Sequence, residues 1–207
     1  MTFLKCKNKK CHKKAIFSSD YCLEHIEEND REKVIDEIHK FINKNKIIKG
    51  YNFSYVPLDN IKFSNKDISY SIFSKCSLKN TSFLTTRIIS SFFDFANLEN
   101  SNFSNCEIHF SIFGGSNLKN TNFLESNIFS SNFIGINIIK TLFKNSDLSY
   151  SRFICNECTN SSFKNCNLKN TFFQDIIFDE ATLKTSNYQD AIIISKSNKD
   201  SKNKDIT

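Results

Sequence analysis

From Phe53 to Ile193 an apolar residue, nearly always large, returns at every fifth position without a slip in register. The row opens Phe53, Leu58, Phe63, Ile68, Phe73, Leu78 and runs on to Phe143, Leu148 and Phe153. It continues through Cys158, Phe163, Leu168, Phe173, Phe178, Leu183, Tyr188 and Ile193. A period of five is neither the 3.6 of a helix nor the 2 of a simple strand. Self-similarity at a fixed pitch predicts a stacked array whose units bury their apolar sides against their neighbours. Two residues before each centre the side chain is small, as at Ser71, Cys76, Thr81, Ser91, Ala96, Ser101, Cys106 and Ser111. The residue between the two is often Asn, as at Asn97, Asn102, Asn117 and Asn122. Small–polar–bulky alternation puts the small and bulky side chains on one face of an extended segment. The remaining two residues must turn a corner. With four Gly and one Pro in the chain, those turns fall to Asn, Ser, Asp and Lys.

Units such as Ala96-Asn97-Leu98-Glu99-Asn100, Ser116-Asn117-Leu118-Lys119-Asn120 and Thr121-Asn122-Phe123-Leu124-Glu125 resemble the A(D/N)LXX motif of pentapeptide-repeat proteins. The resemblance spans about residues 51–195. It implies an all-β solenoid, a right-handed quadrilateral β-helix with four five-residue sides per coil. Because Phe alternates with Leu or Ile along the centre row, such a coil stacks Phe in two columns on opposite walls. Roughly seven coils at about 4.8 Å make a rod on the order of 34 Å long. Lys66, Ile136, Asn156 and Ile176 occupy small-residue slots, so bulges or widened corners are expected there. Cys76, Cys106 and Cys166 are expected as compact apolar fillers. In the Cys155–Cys158 pair, Cys158 is expected to point in and Cys155 out, a packing role rather than redox or metal chemistry.

Ahead of the array the predicted organisation is a Cys/His module over residues 1–28 and a capping helix over 29–49. The array itself takes 50–195, and a disordered tail 196–207. Cys6, Cys11, Cys22 and His25 form C-x4-C-x10-C-x2-H, two short-spaced ligand pairs suited to a structural tetrahedral Zn²⁺. So short a segment has no core of its own, so metal would be its main source of stability. His12 adjoins Cys11 and is the weaker ligand candidate. With all four positions filled by protein, such a zinc has no open site for catalysis. Asn29 and Glu32 have capping-box spacing. Val34, Ile35, Ile38, Phe41 and Ile42 then form an apolar stripe fit to cover the first coil, and Gly50 ends the connection.

Charge narrows the functions. The net +6 is confined to the ends: residues 51–195 carry 12 Lys/Arg against 12 Asp/Glu, residues 1–50 carry 12 against 8, and 196–207 carry 4 against 2. A neutral rod argues against the acidic DNA mimicry by which some pentapeptide-repeat proteins protect type II topoisomerases. Lys5, Lys7, Lys9, Lys10, Lys13 and Lys14 crowd the proposed metal module and supply the alternative of nucleic-acid binding there. No apolar run reaches membrane-spanning length and the start has no secretory pattern, so eight cysteines read as thiols or ligands in a cytoplasmic protein.

No nucleophile–base or paired-carboxylate grouping assembles from neighbouring coils, so a non-enzymatic protein without a small-molecule substrate is expected. Its informative residues are apolar side chains in outward slots. Stepping by twenty aligns Ile72, Phe92 and Ile112 in one column, Ile89 and Phe129 in a second, and Tyr70, Phe110 and Tyr150 in a third, with Phe95 on the far side of the same wall. A contiguous exposed apolar edge predicts a contact surface for a protein partner or a second copy. The expected function is therefore an interaction scaffold or adaptor.

Overall fold

The computed structural model describes residues 3–176, 178 and 180–194. The predicted tail 196–207 lies outside them, as does the side chain of Leu183. Strands β1 (Ile47–Lys49), β2 (Asp67–Ser69), β3 (Arg87–Ile89), β4 (Glu107–His109) and β5 (Asn127–Phe129) form one parallel sheet. Strands β6 (Asn132–Ile139), β7 (Arg152–Thr159), β8 (Phe172–Gln174) and β9 (Ile192–Ile194) form another. Partners are twenty residues apart, as in Ile48↔Ile68 and Ile68↔Ile88. Two further ladders of single bridges, Pro57↔Ser77↔Asn97 and Lys62↔Ser82↔Asn102, complete four walls. We name these the Phe53, Leu58, Phe63 and Ile68 walls. The result is a β-solenoid of about seven coils.

Inside, the centre row fills the column as the period predicts. On the Phe63 wall, rings from Phe63 to Phe163 stack at 4.4–4.9 Å. On the Phe53 wall, rings from Phe73 to Phe153 stack at 4.6–4.9 Å. Across the core the two columns meet edge to face, with interplanar angles such as 87° between Phe63 and Phe73 and 89° between Phe133 and Phe143. Aromatic quadrupoles favour that crossing. The other two walls contribute Leu58, Leu78, Leu98 and Leu118, and Ile68, Ile88 and Ile108, all fully buried.

The small inward residues do more than make room. Their hydroxyl or thiol donates to the carbonyl of a centre residue one coil back: Thr81 to Leu58, Ser101 to Leu78, Thr121 to Leu98, Ser126 to Phe103, Thr141 to Leu118. Cys76, Cys106 and Cys166 do the same toward Phe53, Phe83 and Phe143, each at 2.9 Å. Several of these carbonyls, such as those of Phe53, Leu98 and Leu118, also accept a turn N–H, so the side chain adds a second bond of about 0.5–1.5 kcal/mol, which favours Ser, Thr or Cys over Ala in these slots.

Outside the slip in β7 and the helix of the last coil, corners turn at the second residue after the centre, where φ is positive. Asn60, Asn65, Asn80, Asn100 and Asn120 fit the expectation, but Tyr55, Tyr70, Thr85, Phe95, Phe110, Glu125 and Tyr150 hold the same conformation. The ladder imposes that geometry on whatever residue falls there, against a local cost of about 1–2 kcal/mol.

Three boundaries differ from expectation. The helix α1 runs Glu28–Lys44, with Glu27 rather than Asn29 as N-cap and no side-chain capping bond. Glu28 and Asp30 in the first turn complement the helix dipole instead. Residues 47–49, assigned to the helical segment, are already the first strand, because Ile48 is the centre residue one unit before Phe53. In the last coil a helix α2 (Glu180–Thr185) replaces one wall. Phe178 still packs edge-on against Phe163 and Phe173 at 5.3 and 4.8 Å. Tyr188 and Ile193 are exposed, because no described coil lies beyond them to cover the centre row.

The amino end is covered. Ile38 and Ile42 of α1 are fully buried on the first coil, with Val34, Ile35 and Phe41 packed beside them. Phe17 lies between Phe41 at 4.5 Å and Tyr51 at 5.2 Å. Its amide donates to the Asn52 carbonyl, while the Asn52 side chain donates to the Ala15 carbonyl. The strand edge of the Phe53 wall is thereby closed, which blocks edge-to-edge pairing there.

Of the four misfit slots, Ile136 and Ile176 are simply accommodated inside. Lys66 sends its ammonium back to the Asn45 carbonyl at 2.7 Å. At Asn156 the ladder slips: Ile136 pairs with Cys155, and Asn137 then pairs with Glu157. Asn156 is expelled to the surface, and its amide donates to the Gly135 carbonyl at 2.8 Å. Cys155 is therefore buried and Cys158 only half-buried, the reverse of the expected orientation for Cys155.

Candidate interaction surface and metal site

The amino-terminal module is a short hairpin, with Lys5 bridged antiparallel to Lys14 and the Cys6 amide donating to the Lys13 carbonyl. A 3-10 turn over Leu23–His25 follows Cys22. This arrangement brings the ligand atoms of Cys6, Cys11, Cys22 and His25 within 4.8 Å of one another. Cys11 Sγ lies 3.8 Å from Cys22 Sγ, and His25 Nδ1 lies 3.2 Å from Cys22 Sγ and 3.7 Å from Cys6 Sγ. Tetrahedral ligation with Zn–S near 2.3 Å and Zn–N near 2.05 Å requires S···S of about 3.8 Å and S···N of about 3.6 Å. The donor set fits a closed tetrahedral site. Burial pushes the Cys22 thiol up to about 11, while at Cys6 hydrogen bonds from the Cys22 and Asn8 backbone outweigh burial and lower it. His12 is outside the cluster, exposed beside Lys13 and Lys14.

The lysines around it are partly engaged. Lys7 pairs with Asp20 at 2.6 Å, and Lys13 pairs with Glu24 while lying over the Tyr55 ring. Lys14 sits over Phe3, whereas Lys5, Lys9 and Lys10 are solvated.

Along the rod the outward apolar residues stand where stepping by twenty places them. Ile72, Phe92 and Ile112 are successive bridge partners on the Phe53 wall. Ile89 and Phe129 flank His109 on the neighbouring wall. Tyr70, Phe92, Phe95, Phe110 and Tyr150 are 47, 38, 63, 55 and 52% exposed, and Ile72, Ile89, Ile112 and Phe129 are half-buried. Part of the strip is continuous: Phe110 meets Phe129 at 5.7 Å, and Phe129 meets Tyr150 at 5.3 Å. His109 lies against both Phe110 and Phe129, at 6.2 and 5.9 Å. Tyr70 is separated from Phe110 by Ser90 in the corner column and has Lys49 over its ring.

The opposite corner of the Phe53 wall carries a groove that the expected contact residues do not include. Gly114, Gly115 and Gly135 floor a shallow groove beside Phe95, Ile134 and Asn156. Other corners hold positive φ without glycine, so at Gly115 space is the constraint. A Cβ there would stand 2.6 Å from the Phe95 ring. The signal was in the sequence, since three of the four glycines of the chain fall at one corner.

Comparison with known proteins bears on the repeat alone. The family model described as pentapeptide repeats matches residues 86–120, in eight copies. No curated protein matches. Among solved structures, a trypsin-treated variant of QnrB1, a plasmid-mediated fluoroquinolone resistance protein, is 14% identical. Its match covers 71% of this chain and 83% of that one, with a TM-score of 0.43. HetL of Nostoc, a pentapeptide-repeat protein involved in heterocyst differentiation regulation, is 13% identical over 77% of this chain and 95% of its own, with a TM-score of 0.34. A pentapeptide-repeat protein of the Arabidopsis thaliana thylakoid lumen is 13% identical over 69% and 74%, with a TM-score of 0.29. Among the described residues no helix is long and apolar enough to cross a membrane.

Proposed function

We propose that this pentapeptide-repeat rod is a non-enzymatic interaction scaffold that binds a protein partner, or a second copy, through the apolar edge between its Ile68 and Phe53 walls. The observation that carries the reading is the run of touching rings His109, Phe110, Phe129 and Tyr150, continued on the adjacent wall by Phe92 and Ile112. Large rings held in solvent by a rigid backbone give up little conformational entropy when covered, which favours them as contact anchors. The amino-terminal module serves as a zinc-clamped cap: a closed Cys₃His set stabilises the hairpin, the hairpin holds Phe17, and Phe17 seals the first coil.

The test is the mass in light scattering, and the partner retention in a pull-down, of wild type against Phe92→Ser/Phe110→Ser. The reading expects assembly or retention to drop at least roughly tenfold while far-ultraviolet circular dichroism stays constant. Unchanged mass and unchanged retention would contradict it.

A further inference from the structure

We propose that Cys155 and Cys158 form a reversible intramolecular disulfide, a thiol modification site built by the slip in β7. In a plain extended segment, side chains three residues apart point to opposite faces. Here the slip changes that parity. Opposite Ile136 and Ile138, both fully buried and two residues apart, β7 sets Cys155 and Cys158, three apart, because Asn156 is squeezed out of the ladder. The two cysteines consequently take the register positions of two inward residues of one wall. The Cys155 thiol is hydrogen-bonded to Cys158. Cys155 is buried at 3% exposure, while Cys158 is only partly covered and so can meet a solute. Gly135 opposite the slip holds φ 71°, and its carbonyl accepts the Asn156 amide.

The other rod thiols give the contrast. Cys76, Cys106 and Cys166 each donate S–H to a backbone carbonyl at 2.9 Å. Burial pushes Cys106 up to about 12, Cys166 up to about 11 and Cys76 higher still. Among these described thiols of the rod, it is at Cys158 that a neighbouring thiol pulls the value below the ordinary one. The thiolate is the nucleophile in exchange, so Cys158 is the attacking group and Cys155 the resolving one.

With a small disulfide such as oxidised glutathione, Cys158 S⁻ attacks one sulfur, the glutathione S–S bond breaks, and one glutathione thiolate leaves. Cys155, giving up its proton, then attacks Cys158 Sγ and expels the second glutathione thiolate. Two protein thiols become one disulfide, one oxidised glutathione becomes two reduced molecules, and the two protons end on them.

The experiment exposes the intact, zinc-supplemented chain to oxidised glutathione, alkylates the remaining thiols, and maps tryptic peptides by mass. Cleavage after Arg152 and Lys164 releases residues 153–164, which contain Cys155 and Cys158 and no other cysteine. The expected result is loss of two hydrogens from this peptide, reversed by dithiothreitol, at least roughly tenfold faster than any modification of Cys106 or Cys166. Cys155→Ser should instead trap a glutathione adduct on Cys158, and Cys158→Ser should leave Cys155 unmodified. A peptide that stays reduced, or a Cys155→Ser protein without the adduct, overturns the assignment.

Discussion

The inward small residue is the smallest unit on which this fold depends. It fills the gap beside a stacked ring and satisfies the carbonyl of a centre residue one coil back. Thr141 shows both roles, fully buried with Oγ1 2.7 Å from the Leu118 carbonyl. Thr141→Val keeps the shape and removes the donor while the Leu118 carbonyl retains the Thr121 amide, so it should destabilise by about 0.5–1.5 kcal/mol in urea titration. An unchanged midpoint would show that the hydroxyl contributes only volume. The corner residue poses the opposite case. Thr85 is exposed, β-branched and held at φ 56°. Thr85→Asn keeps the backbone bond from its amide to Ser104 and relieves the strain, raising stability by about 1 kcal/mol in the same assay. A loss of stability would show that the corner is not strained. Spacing alone disclosed which slot was small. It was silent on the carbonyl that each hydroxyl serves, because that partner lies 23 residues away along the chain.

At the scale of elements, the five-residue register identified the walls, and helical spacing identified the face of α1 that buries Ile38 and Ile42. Boundaries were harder. The first strand was hidden because Ile48 belongs both to the tail of a helical pattern and to the repeat, and pairing with Ile68 decides the matter. The slip at Asn156 was anticipated as a place but not as a shape. A side chain able to reach the Gly135 carbonyl is better outside than in, and the ladder moves Cys155 into the vacated slot. The Cys/His hairpin was legible from its spacing, since a closed ligand set needs only four positions to converge. For the zinc reading, chelation should release about one Zn²⁺ per chain and lower the melting temperature by several degrees, as loss of the cap on the first coil requires. Metal-free protein with the same melting temperature would contradict it.

For the whole molecule, one aromatic residue type has two fates, set by its place in the five-residue count. Phe in the centre row is stacked and dry, whereas Phe at or beside the corners is held in water at an apolar edge. Neutral charge along the rod leaves that edge, rather than a field, as its distinguishing surface. If that edge is the proposed contact surface, its partner is not legible in the sequence, because a partner's shape is not encoded in this chain. The inside–outside division can be measured directly by comparing Phe103→Ala with Phe110→Ala in chemical denaturation. Phe103 is fully buried between stacked neighbours, and Phe110 is mostly exposed. The account predicts a loss of about 3–5 kcal/mol for the first and about 0.5 kcal/mol or less for the second. Equal losses at the two positions would contradict it.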